Sequence, residues 1–192
     1  MTKLKKYSLE DLERSFTGLT ELEKAAYVGG GNEYYFDRNG KIVSVKANDL
    51  DYDQAFCGSN FGINHKIEGE LSISSHPWEL NPSRTVTEIS GGDWDFFKFL
   101  ADNTNVEWEA TMRRYGDIPS GSTSCVIRTI NDSGYAPGEY ELGAGNNTYI
   151  HSHPDNDPSP SIEDRKNTNE MNAEGYEQGI YNPKTGNIRW YE

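Results

Sequence analysis

Tyr149-Ile-His151-Ser-His153-Pro-Asp155-Asn-Asp157-Pro-Ser-Pro-Ser161-Ile-Glu-Asp164 is the stretch on which the fold and the function of this chain turn. It begins as a strand, is stopped by Pro154, passes through a loop and ends in a helix start. Side chains on a strand share a face every second residue, so His151 and His153 present both imidazoles on one side, close enough to converge on one ion. Asp164, in the first turn of the following helix, can bring a carboxylate to the same point. Asp155 and Asp157, in the connecting loop, compete with it. Two histidines and a carboxylate with a fourth position open form the donor set of a catalytic zinc site rather than a structural one.

The spacing H-x-H, seven residues, S-x-x-D resembles the motif of the JAMM (JAB/MPN) metallopeptidases, and His151, His153, Ser161 and Asp164 fit it without a gap. Pro154 is also what such motifs commonly show after the second histidine. The resemblance covers roughly the C-terminal half of the chain. It implies an α/β fold of the JAB/MPN type, related to that of the cytidine deaminases, with a mixed curved sheet flanked by helices. It further implies zinc held by His151, His153 and Asp164, Ser161 helping to hold the developing oxyanion, and a glutamate on an earlier strand that activates water. The family spacing selects Asp164 over Asp155 and Asp157, and a helix terminus holds it more rigidly. A zinc deaminase would need H-x-E and P-C-x-x-C. Neither occurs in the chain.

The glutamate is sought upstream. Asp93-Trp94-Asp-Phe96-Phe97-Lys-Phe99-Leu100-Ala101 places apolar residues at helical intervals behind an aspartate N-cap. Val106-Glu107-Trp108-Glu109-Ala110-Thr-Met112 follows as an alternating strand. This helix-then-strand step is where a JAMM protein carries its catalytic glutamate. Glu107, 44 residues before His151, is the expected base, with Glu109, pointing the same way, as the alternative. Without the downstream motif both would read as solvent-facing strand positions.

Elsewhere the residues set bounds. With 192 residues, 34% apolar and 12% aromatic, the chain can build one domain with a real core plus an extension. A net charge of −13 argues against nucleic acid as a partner. No run approaches the about 18 apolar residues of a membrane span. Cys57 and Cys125 form no C-x-x-C; they read equally as a disulfide of an exported protein or as two buried thiols. His65 and His76 have no partner at ligand spacing and read as surface or loop residues.

Residues 1–31 differ from the rest, with Lys and Arg balancing Asp and Glu, two short helix signals and then Val28-Gly29-Gly30-Gly31. An amphipathic helix ending in double glycine resembles the leaders of bacteriocins, which peptide-exporting ABC transporters cut after the second glycine. That resemblance implies cytoplasmic synthesis, export, and a mature protein beginning near Gly31 or Asn32. As plain structure, a helix followed by glycines is a C-cap and flexible joint. Residues 32–92 are expected to form a β-rich extension. It contains a hairpin, Tyr34–Phe36 and Ile42–Val45 about Asn39-Gly40, and then mostly loops with one or two strands. Residues 93–192 are expected to form the JAMM-like domain, closing with a polar helix after Asp164 and a hairpin turning at Pro183-Lys-Thr-Gly186.

That second half resembles the JAB-like domains of bacterial Rhs-type polymorphic toxins. It implies a secreted toxin or effector that cuts a peptide or isopeptide bond in a protein or peptide, with a cognate immunity protein as a further partner. The rival expectations are a catalytically inactive MPN-like binding module and a secreted interaction protein with structural zinc.

Overall fold

The computed structural model describes residues 31–48, 50–58, 60–67, 71–79, 81–113, 124–134, 136, 147–155, 157–173 and 175–191. Among them the hairpin about Asn39-Gly40 forms as the sequence predicts, from β1 (Asn32–Phe36) and β2 (Ile42–Ala47). Asp37 Oδ1 accepts from the N–H groups of Asn39 and Lys41 at 2.8 and 2.9 Å, and Gly40 takes the left-handed φ of 72° that the turn needs. Strand β1 runs parallel to β3 (Asp53–Cys57), which pairs antiparallel with β4 (Ile63–Ile67). The result is a four-stranded sheet in the order β2-β1-β3-β4.

The second sheet has seven strands. Its members are β5 (Ser72–Trp78), β6 (Asn81–Asp93), β7 (Glu109–Arg113), β8 (Ser124–Thr129), β9 (Asn147–Ser152), β10 (Tyr176–Asn182) and β11 (Asn187–Tyr191), in the order β11-β10-β9-β7-β8-β6-β5. Only β9 and β10 run parallel within it. Their crossover carries helix α2 (Ile162–Ala173), as parallel neighbours require. Helix α1 (Trp94–Asn103) starts where expected, its Asp93 cap accepting from Phe96 N–H at 2.8 Å.

The described residues after β2 and up to α1 form four strands where one or two were expected. Segments such as Ile63-Asn-His-Lys-Ile67 and Ser72-Ile-Ser-Ser-His-Pro-Trp78 are largely exposed, so they lack a clean apolar face. Pro77 is tolerated because β5 is an edge strand. The boundary expected at 92/93 falls at the end of β6, and β5 and β6 share the sheet with β7–β11. One apolar core also joins the two sheets, running from Tyr34, Phe36, Ala55 and Ile67 through the α1 aromatics to Trp108, Ile150 and Tyr181.

Helix α1 lies in that core, with Trp94 and Phe97 against Tyr181 and with Phe96 against Phe36. Helix α2 meets the sheet through Met171, beside Tyr149 and Tyr176, residues of opposite strand parity to Ile150 and Tyr181. Both cysteines are buried thiols outside any disulfide, Cys57 raised to about 12 by burial. No helix among the described residues is long and apolar enough to cross a membrane.

Gly29 and Gly30 of the expected leader lie outside the described residues. Gly31 is inside: it is buried, donates to Leu50 O at 2.7 Å and accepts from Asn48 N at 2.9 Å. A Cβ there would run into the Tyr52 carbonyl.

Candidate metal centre

Strand β9 is buried along its whole length, and its alternation divides two environments. Ile150 enters the apolar core, whereas Tyr149 and His151 face the side covered by α2. His153 follows just past the strand end. The two imidazoles converge as their spacing predicts, Nε2 to Nε2 at 3.0 Å.

Asp164 arrives from α2 because Ser161 caps that helix. Ser161 Oγ accepts from Asp164 N–H at 3.1 Å, and Ser161 N–H donates to Asp164 Oδ2 at 2.6 Å, a reciprocal capping box. The carboxylate so held lies with Oδ1 3.4 Å from His151 Nε2 and Oδ2 3.9 Å from His153 Nε2. One donor atom from each of the three residues lies within 4.8 Å of the others.

These distances fit a single ion. Four donors around zinc at about 2.0–2.1 Å stand about 3.3 Å apart when tetrahedral. His153 is also oriented for ligation: its Nδ1 lies 2.6 Å from Asp157 O, so an Nδ1–H donated there leaves the Nε2 lone pair facing the cluster. Two imidazole lone pairs and a carboxylate aimed at one point repel one another unless a cation or a proton lies among them. Asp155 and Asp157, the loop carboxylates that could have competed, instead accept from Asp157 N–H at 3.0 Å and Ser159 N–H at 2.9 Å. They shape the loop, and Asp157 serves the site through its carbonyl.

Glu107 stands beside the cluster, Oε1 4.0 Å from His153 Nε2. Strand β7 begins at Glu109, two residues after Glu107, so Glu107 precedes the strand on which the alternation placed it. It is buried, and not a solvent-facing position. Burial, then the nearby charges of Asp164, Asp132 and Asp155, push its carboxyl up to about 8, against a backbone hydrogen bond from Ala136. Asp164 goes the other way: burial raises it, but the hydrogen bond and charge of His151 and the hydrogen bonds of Ser161 outweigh that and hold it well below the usual carboxylate range. Burial and the neighbouring His151 lower His153, keeping its ring neutral. Two carboxyls pushed apart by their surroundings can divide the work of ligand and base.

Glu109, the alternative base, has another task. It is fully buried, with Oε1 3.0 Å from Arg128 Nη1 and Oε2 accepting from the Tyr149 hydroxyl at 3.2 Å. Across the sheet its register partners are His151 on β9 and Arg128 on β8, and Arg128 in turn faces Glu88 on β6. His65 stacks on Phe99, centroids 5.2 Å apart, and His76 lies 3.9 Å from Glu88; neither belongs to the centre.

Ser152, Thr129 and Asn131 were not among the expected site residues, yet they fix the backbone around Glu107. No residue pattern announces them, since each acts through a backbone hydrogen bond across 22 to 44 residues or a turn. Comparison with curated proteins and with solved structures found no match. Residues 93–175, which hold Glu107, His151, His153 and Asp164, match the family model of JAB-like toxin 1, and this supports a JAB-like toxin domain in that part of the chain.

Proposed function

We propose that the chain is a JAMM-type metallopeptidase acting as a toxin, which cuts a peptide or isopeptide bond in a protein or peptide substrate. The observation that supports this best is the convergence of His151, His153 and Asp164 beside a buried glutamate of raised proton affinity. Zinc bound by those three residues would supply a Lewis acid for the scissile carbonyl and a water nucleophile ionised near pH about 7.

The remaining work falls to the chain's own side chains. Glu107 accepts the proton of the attacking water and returns it to the leaving amine. Ser161 Oγ is a cap acceptor for Asp164 N–H, and its hydroxyl hydrogen, which bonds the Asp164 carboxylate here, would turn to donate to the oxyanion. Donors of that kind are worth roughly 3 kcal/mol of barrier. His153 is oriented by the Asp157 carbonyl, while burial and the neighbouring His151 lower its proton affinity. Export through a leader cut by an ABC transporter at Gly29–Gly31 would carry the toxin out of the producing cell, where a cognate immunity protein would guard against it.

Metal content of the purified full chain tests the reading, by inductively coupled plasma mass spectrometry on the parent and on His153→Ala. About one zinc per chain, lost in the variant, is expected. No metal in the parent after reconstitution with zinc overturns it. Glu107→Gln is expected to keep the zinc and to lose growth inhibition on expression in a bacterial host.

A further inference from the structure

Glu107 lies outside the β7 ladder, so strand pairing does not set its position. Its N–H donates to Asp132 O at 2.7 Å, and its carbonyl accepts from Thr129 Oγ1 at 2.7 Å. Thr129 ends β8 and Asp132 lies in the turn that follows it. Thr129 Oγ1 also accepts from Asn131 N–H at 2.9 Å, and Asn131 itself takes a left-handed φ of 56°.

That turn is seated on the tip of the β1–β2 hairpin. With its amide nitrogen turned toward the hairpin, Asn131 donates to Asn39 O at 3.0 Å and Gly40 O at 3.2 Å. From the other side, Asn105 N–H donates to Arg38 O at 2.7 Å. Gly40 is packed so closely that a Cβ would lie 2.7 Å from Val106 Cγ2 and 3.1 Å from Trp108 Cζ2, the residues flanking Glu107. Phe36, at the end of β1, adds an edge contact to the Trp108 ring with centroids 6.2 Å apart.

We propose that the hairpin tip, Arg38 to Gly40, is a positioning element for the Glu107 carboxylate. Residues N-terminal to the segment that matches the toxin family model would thus complete its site. The inference rests on the metallopeptidase reading and adds a requirement to it. Among the described residues, the hydrogen-bonded backbone groups of Asn105, Glu107 and Trp108 are held by the hairpin tip, by Thr129 and Asp132 at the turn seated on it, or by Ser152 of β9. A shift of the tip therefore moves Glu107 relative to the two histidines.

The test uses the full chain loaded with cobalt(II), whose visible absorption reports the surroundings of the ion, followed as a function of pH. Parent, Glu107→Gln, Gly40→Ala, Asn131→Ala and His153→Ala are compared. Glu107→Gln is expected to move the midpoint of the pH profile by about threefold in proton affinity or more, roughly half a unit. Gly40→Ala and Asn131→Ala should move it the same way while keeping about one metal per chain and a cooperative melt. Asn131→Ala creates no clash and carries the test alone if Gly40→Ala does not fold. Parent-like profiles in both, beside a shifted Glu107→Gln, overturn the inference. An unshifted Glu107→Gln overturns it as well, since Glu107 then does not act at the ion. Metal retained by His153→Ala is a different failure, one that removes the metal centre itself.

Discussion

In the metal-free protein, the buried carboxyl of Glu107 should cost stability as it ionises, and Glu107→Gln should remove that cost. The carboxyl titrates at about 8 in the fold against 4.5 for the ordinary group. For an acid with a raised folded pKa, the protonated form is the one the fold prefers, so its contribution is fully present below 4.5 and is lost as pH rises through 8. Over that window, at about 1.36 kcal/mol per unit, the loss reaches at most about 5 kcal/mol. Relaxation of the surroundings brings a realistic figure to about 2–3 kcal/mol. Glutamine keeps the shape and cannot ionise. At pH 8.5 metal-free Glu107→Gln should therefore melt about 5–10 °C above the parent, given about 2–4 °C per kcal/mol for a chain of this size. At pH 4.5 the two should nearly coincide. Calorimetry on chelator-treated protein across this range is the assay. A parent and variant that differ equally at both pH values, or not at all, would refute the burial and charge assigned to Glu107.

Two other substitutions separate structure from chemistry. Ser161→Ala removes the cap oxygen of α2 and should cost about 1 kcal/mol in a denaturant melt; if the hydroxyl also serves the oxyanion, activity should fall by roughly a hundredfold more than the melt explains. Arg128→Met strands the Glu109 carboxylate in the sheet and should cost about 3–5 kcal/mol, whereas Arg128→Met with Glu109→Leu should recover much of it, a pattern a double-mutant cycle would show.

The convergence of His151, His153 and Asp164 was legible because its geometry is local. A histidine of a strand, a second just past its end and the capping box of the next helix lie within fourteen positions, and the periods of strand and helix fix where they point. The terminal hairpin and α1 were legible for the same reason, through Pro183-Lys-Thr-Gly186 and the Asp93 cap. The family spacing singled out Glu107, which lies beside the histidines, but its setting was not legible. Alternation of Val106, Trp108 and Ala110 predicts a strand from Val106 and cannot show that pairing starts only at Glu109, because that depends on where β9 ends. Nor can composition show that strands as polar as β4 and β5 complete two sheets, since backbone hydrogen bonds hold them more than apolar faces do.

The serine between the two histidines shows how closely the two faces of β9 are tied. A slip of one residue would exchange every side chain between core and site, so the histidines converge only while the other face is anchored. Ile150 does part of this by filling the apolar core. Ser152 does the rest: its N–H donates to Trp108 O at 2.8 Å and its Oγ accepts Trp108 N–H at 3.0 Å, both fully buried. Trp108 is the residue after Glu107, and its indole is tied back to the end of α1 through Thr104 Oγ1 at 2.8 Å. The same bonds that keep His151 and His153 in register therefore fix the distance from the histidines to the glutamate. Reading H-x-H as two candidate ligands with a spacer misses this: in this fold the spacer joins the histidine strand to the segment carrying the proposed base, and any residue there without a hydrogen-bond acceptor would leave the Trp108 amide buried and unsatisfied.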